Sequence, residues 1–120
     1  MTDPHRAARP GLLVGHRAVD GIWVLTLHGD IDHDVKGDLT KALLSFDSAT
    51  PPRTVVDLSG VTFMDSAGIN VFLTAHQAMT DAQGWLRIAG AQPSVLRLLE
   101  LVGVDRVISC HPTVEQALTD

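Results

Sequence analysis

The chain has a single cysteine, Cys110, among 120 residues. That excludes an internal disulfide and any CxxC metal or redox motif, and it suits a reducing compartment. Basic residues are scarce too. Nine Lys plus Arg stand against fourteen Asp plus Glu, for a net charge of -5 and a pI near 5.5. This balance leaves no electrostatic footprint for nucleic acid or an anionic membrane. No apolar run approaches the roughly 20 residues of a membrane span, and the opening MTDPHRAARPG has no apolar core of a signal peptide. Together these absences predict a soluble, cytoplasmic protein with neither a nucleic-acid nor a membrane partner. His5, His16, His28, His33, His76 and His111 show no HxH or HExxH spacing, so no metal or other cofactor is expected.

What is present fits one α/β domain around a single core. Met1 to Pro10, with two prolines and three basic residues, reads as a flexible N-terminal tail and leaves residues 11–120 as the domain. Leu12–Val19 and Ile22–His28 are strand-like runs. Asp20-Gly21 joins them as a type I′ hairpin turn. Gly29 to Asp32 should break the second run. Val35, Leu39, Ala42, Leu43 and Phe46 then recur at helical spacing, with Asp32 or Asp34 as cap.

After Pro51-Pro52, the β-branched Thr54, Val55 and Val56 predict a buried strand that Ser59-Gly60 stops. Ile69, Phe72, Leu73, His76 and Met79 mark one side of a second helix, with Asp65 and Ser66 at its cap and Gln83-Gly84 at its close. Trp85–Ala89 predicts another strand. Ser94 then caps a third helix with Val95, Leu98, Leu99 and Val102 on one face and Gly103 at its stop. Val107-Ile108 predicts a last strand, and Thr113–Thr119 a last helix. Strand–helix–strand order makes the strands parallel. The expected architecture is a mixed, mostly parallel sheet with an antiparallel N-terminal edge hairpin and about four helices.

Loops after parallel strands gather on one edge of the sheet. His28–Asp32, Ser59–Ser66 and Gly90–Ser94 should meet there, setting Asp30, Asp32, Asp65 and Ser66 together with no Lys or Arg to neutralise them. A hydroxyl at a helix N-terminus can be a cap, a nucleophile or a phosphate acceptor. The hydrolase elbow needs Gly two residues before the Ser, where this chain has Met64, and no His is placed as a base. Asp57, inside its strand, reads as bonded to nearby backbone amides. A phosphoryl receiver would need a Lys near the last strand, and there is none.

The run VVDLSGVTFMDSAG, with LHGDID at Leu27–Asp32 and AQPSVLRLLELVGV at Ala91–Val104, resembles the STAS domain, in particular the bacterial anti-sigma factor antagonists. The resemblance runs from Leu12 to the C-terminus. It implies a non-enzymatic switch that binds an anti-sigma factor serine kinase, releases a sigma factor, and is switched off by phosphorylation of Ser66. In that scheme the kinase supplies ATP and magnesium, and a serine phosphatase resets the protein. The resemblance also makes Asp32 an aid to the reactivity or positioning of Ser66. Asp30, Asp32, Asp65, Ala67, Gly68 and Asn70 are the expected partner-binding residues. Two of these depart from the family pattern: Ala67 stands where many members carry a second Ser, and Asn70 where Gly is common. The alternative is a STAS scaffold or ligand-binding subunit, never phosphorylated, in a stress-sensing or transport assembly.

Overall fold

Asp20 and Gly21 have φ values of 51° and 81°, the left-handed pair that a type I′ turn requires. They join β1 (Leu13–Val19) to β2 (Ile22–Ile31) as an antiparallel hairpin. The computed structural model describes residues 12–47 and 49–119, so the expected tail, Met1 to Pro10, lies outside the described residues. Beyond the hairpin, β3 (Arg53–Met64), β4 (Trp85–Ala89) and β5 (Ser109–His111) add in sequence order, each parallel to its predecessor. Parallel neighbours require crossovers. These are α1 (Lys36–Leu44), α2 (Ser66–Asp81) and α3 (Pro93–Leu101). Right-handed crossovers along a sheet in sequential order put all three on one face.

Under these helices lies the larger core, where Leu25, Leu27, Val56, Leu58 and Ile88 meet Leu39, Leu43, Phe72, Ala75, Met79 and Leu99. The opposite face is covered by α4 (Val114–Thr119), whose Val114 and Ala117 pack on Ile22, Val24, Val55 and Ala89. Both faces of β2 and β3 are therefore apolar, as strands buried between two layers must be.

Two strands run further than the sequence predicts. Gly29 does not end β2 and Ser59-Gly60 does not end β3, which is 12 residues long. The apolar residues beyond these breakers, Ile31, Val61 and Met64, are buried, so continued pairing rewards the extension. The pairing continues by slipping register between Thr26 and His28 and again between Gly29 and Asp30. Glycine suits such bulges because it lets two backbones approach. A Cβ on Gly60 would lie 2.2 Å from His28 Nδ1 and 2.8 Å from the Leu27 carbonyl oxygen.

Smaller differences have local causes. Gln83, with φ of 70°, takes the left-handed position after α2. Gly84 serves close approach instead, since a Cβ there would sit 1.8 Å from the Pro52 carbonyl oxygen. Helix α2 buries Val71 and Ala75 beside Ile69, Phe72 and Met79, while Leu73 faces outward at 37% exposure and His76 is half-buried. Ser94 is not the cap of α3. Pro93 starts that helix, with Gln92 as N-cap, because proline's preset φ favours the first helical position. Val102 is exposed rather than buried, just before Gly103 turns the chain at φ 81°. Val107 and Ile108 are held to the Val104 carbonyl by backbone bonds of 3.0 and 2.9 Å, so the last strand begins only at Ser109.

Candidate functional site

The extended ends of β2 and β3 project as a paired unit, and the site forms where they turn into helices. The Asp65 N–H donates to the Ile31 carbonyl at 3.0 Å. That bond places Asp32, the residue that follows β2, beside the start of α2. Asp32 and Asp65 do the same job on neighbouring segments. Asp32 Oδ1 accepts from the Asp34 N–H at 3.0 Å and caps the 3-10 turn His33–Val35 that leads into α1. Asp65 Oδ1 accepts from the Ala67 N–H at 2.8 Å and caps α2. Each aspartate satisfies a donor that the helix geometry leaves unpaired, and each puts negative charge at the positive end of its helix.

The sequence leaves the cap of α2 open between Asp65 and Ser66; the structure assigns it to Asp65. Ser66 is the first helical residue and is exposed. Its hydroxyl makes no hydrogen bond to any described residue. The chemical consequence is a free oxygen in the first turn of a 16-residue helix, where a phosphate would meet N–H donors and a favourable dipole.

Around this hydroxyl the expected residues fall into two groups. Asp30 and Asn70 are exposed, and Asp32, Asp65 and Ala67 are partly so. Gly68 is buried instead. A Cβ there would meet Ile31 Cγ2 at 2.6 Å and Met64 Cγ at 2.9 Å, so Gly68 lets α2 settle on the strand ends and offers a partner no side chain. Asp30 is oriented by the Thr62 hydroxyl, which donates to its Oδ1 at 3.0 Å. Among the described residues, no ion pair neutralises Asp30, Asp32 or Asp65. Asp57 lies off the site and accepts from the Ser59 N–H at 2.9 Å, as expected. The third stretch does not join the edge: Gln92 donates to the Ser59 carbonyl at 2.8 Å and Gly90 lies against Asp57 and Ser59. Because β3 runs on to Met64, the Ser66 edge is carried about 20 Å beyond the Gly90–Ser94 loop expected to meet it.

Two residues here have no counterpart in the sequence reading. Thr62 orients Asp30, and Phe63, in register with Asp30 on β3, is 50% exposed. The signal for both was the run VTFM, whose alternation shows only once the strand is known to pass Gly60. Among the described residues, no group of three or more His, Cys, Asp or Glu could hold a metal, and no helix is long and apolar enough to cross a membrane.

Similar proteins of this fold include anti-sigma factor antagonists and, at 13–16% identity, chains of anion-transport proteins. The chain is 27% identical over 104 residues to the anti-sigma F factor antagonist of Paenibacillus polymyxa, covering 83% of this chain and 86% of that one. It is 26% identical over 100 residues to an anti-sigma-F factor antagonist of Mycobacterium tuberculosis, covering 83% and 81% respectively. The crystal structure of an anti-sigma factor antagonist from Mycobacterium paratuberculosis superposes with a TM-score of 0.82 at 25% identity, over 99% of this chain and 97% of that one. Residues 16–117 match the model of the STAS domain, and the chain belongs to that family.

Proposed function

We propose that this STAS domain is an anti-sigma factor antagonist, a binding protein of the cytoplasm rather than an enzyme, switched by phosphorylation of Ser66. The observation that carries the reading is the exposed Ser66 hydroxyl, left without a partner because Asp65 takes the cap. The names of the relatives at 26–27% identity support the same role.

In the unmodified state the edge formed by Asp30, Phe63, Asp65, Ser66 and Asn70 docks on an anti-sigma factor and releases the sigma factor it held. The anti-sigma factor is itself a serine kinase that brings ATP and magnesium. The Ser66 oxygen attacks the γ-phosphorus, ADP leaves, and the serine proton passes to a base or to water. Asp32 has one oxygen engaged by the Asp34 N–H and a second with no described partner, which suits it to orient the hydroxyl. The phosphate adds about -1.5 to -2 charges beside three aspartates that no described cation offsets. Against an acidic or desolvated partner surface that charge is repulsive, and the complex separates. The fold tolerates it, since a helix N-terminus favours an anion by about 0.3–1 kcal/mol. A serine phosphatase resets the switch.

The test is co-purification of the anti-sigma kinase with wild type, Ser66→Ala and Ser66→Asp in the presence of ATP. Ser66→Ala should retain the kinase where wild type releases it, and Ser66→Asp should fail to capture it. Equal capture by all three would leave the scaffold or ligand-binding subunit as the better account.

A further inference from the structure

Seven large apolar side chains are exposed among the described residues, and three of them, Leu101, Val102 and Val107, fall within seven consecutive positions at 74%, 53% and 52% exposure. They surround the end of α3 and the 3-10 turn Val104–Arg106. The core does not use them, since Leu99, Val104 and Ile108 already fill the space beneath. Arg97, one helical turn before Leu101, and Arg106, next to Val107, are exposed and have no ion-pair partner among the described residues. Glu100 and Asp105 border the cavity beside Cys110 instead. This end of the molecule therefore presents an apolar patch with positive charge at its margin.

The opposite end presents the complementary combination, because the half-exposed Phe63 stands with Asp30, Asp32 and Asp65, which no described cation offsets. Strands β4 and β5 are parallel, so α3 runs back from the C-terminal ends of the strands to their N-terminal ends. Its nine residues cover about 13 Å. The Ser66 edge lies about 20 Å the other way. The two patches are thus roughly 30 Å apart along the strands, fixed on one domain that cannot bring them together. A second copy can. Like patches do not pair, since two basic ends would oppose their arginines and two acidic ends their aspartates.

We propose that the chain associates head to tail with a second copy of itself, the Leu101–Val107 patch of one copy covering the Ser66 edge of the next. Phe63 packs against Leu101, Val102 and Val107, while Arg97 and Arg106 meet Asp30, Asp32 and Asp65. Each pair leaves one free head and one free tail, so the interface is heterologous and grows instead of closing. By covering Ser66, the association competes with any other partner of that edge and holds the protein in reserve at high concentration. As a brake on switching, the proposal rests on the Ser66 reading. As an association it does not, and it is measured without kinase or ATP, so either can fail while the other stands.

The test is sedimentation velocity of the full chain from about 10 µM to about 1 mM, a range that captures the weak association of small interfaces. Salt at about 0.1 M screens the net charge of -5 beyond about 10 Å while leaving close charge pairs in force. The mean sedimentation coefficient should rise with concentration and pass the dimer value. Phe63→Thr keeps a β-branched residue in the strand, and Leu101→Gln keeps a good helix former. Each should weaken association at least tenfold, as loss of a central apolar contact does, and Arg106→Glu should do the same. Leu101 and Arg106 are exposed, so their variants keep the test sound if Phe63→Thr folds poorly. Mixing reads the geometry. Phe63→Thr retains an intact tail patch and Leu101→Gln an intact head, so an equimolar mixture should form a 1:1 dimer that grows no further. A wild-type chain still monomeric at the highest concentration, association unchanged in Leu101→Gln or Arg106→Glu, or a mixture that stays monomeric would each overturn the proposal. So would a wild-type dimer that does not grow, since that requires a closed, two-fold interface.

Discussion

Replacing Asp65 and Ser66 in turn separates capping from signalling. Asp65→Ala removes the acceptor of a 2.8 Å bond from the Ala67 N–H and takes a charge from the positive end of a 16-residue helix. Losing an N-cap of this type costs about 1 kcal/mol, within a range of about 0.5–2. The lost charge–dipole interaction adds about 0.3–1 kcal/mol. The sum, about 1–2 kcal/mol, corresponds to a fall in Tm of roughly 5–10 °C for a domain of this size. Asp65→Asn keeps an acceptor at the cap and loses only the charge, so it should cost less than half as much. Ser66→Ala should cost under about 0.5 kcal/mol, because its exposed hydroxyl holds no bond. Thermal unfolding followed by far-UV circular dichroism, with urea titration to separate stability from m-value, measures all three. If Ser66→Ala destabilised as much as Asp65→Ala, Ser66 would be the working cap, and the argument for its availability as an acceptor would fail.

Three further outcomes follow from the packing and the one cysteine. Gly68→Ala gains up to about 1 kcal/mol of helix propensity but drives a Cβ to within 2.6 Å of the buried Ile31 side chain; overpacking at about 1–3 kcal/mol should win, and denaturant titration should show a net loss. Gly84→Ala is harsher, since the obstacle 1.8 Å away is the Pro52 backbone carbonyl; a loss of about 3 kcal/mol or more or failure to fold is expected, and wild-type stability would refute the close approach. Burial, with smaller contributions from Asp105 and then Glu100, raises the Cys110 thiol from 9.0 to about 11. Native Cys110 should therefore react with iodoacetamide far more slowly at pH 8.5 than the urea-unfolded chain. The raised value means that the folded state holds the proton longer, so Cys110 makes stability fall as pH rises from about 9 to about 11; a Cys110→Ser chain that loses stability just as steeply over that window would contradict this.

The fold was legible in the sequence because its signals were local and mutually consistent. The β-branched Thr54, Val55 and Val56, the Asp20-Gly21 turn and the apolar periods of α1 and α2 each point to an element, and strand–helix–strand order then forces parallel pairing. Gly29 and Ser59-Gly60 misled for a physical reason. Glycine weakens a strand locally, but here β3 takes up an extra residue at each register slip, and the pair buries Ile31, Val61 and Met64 beyond them, a gain visible only in the pair. The identity of the α2 cap turned on one backbone position, since Asp65 is extended, with φ and ψ of -112° and -172°, and neighbouring Asp and Ser are equally good caps in sequence. The Ser66 neighbourhood was legible through the motif. Its Thr62–Asp30 bond and the exposed Phe63 were not, because they depend on the strand extension.

The most direct test of the switch is the location of phosphate. This chain and its Ser66→Ala variant, incubated with ATP, magnesium and the anti-sigma kinase recovered on Ser66→Ala, would be mapped by tandem mass spectrometry, with the bound fraction measured in the same samples. The account predicts a single phosphate on Ser66, absent in the variant, with release of the kinase in proportion to its occupancy. Phosphate on another residue, or full modification of Ser66 with the kinase still bound, would contradict it.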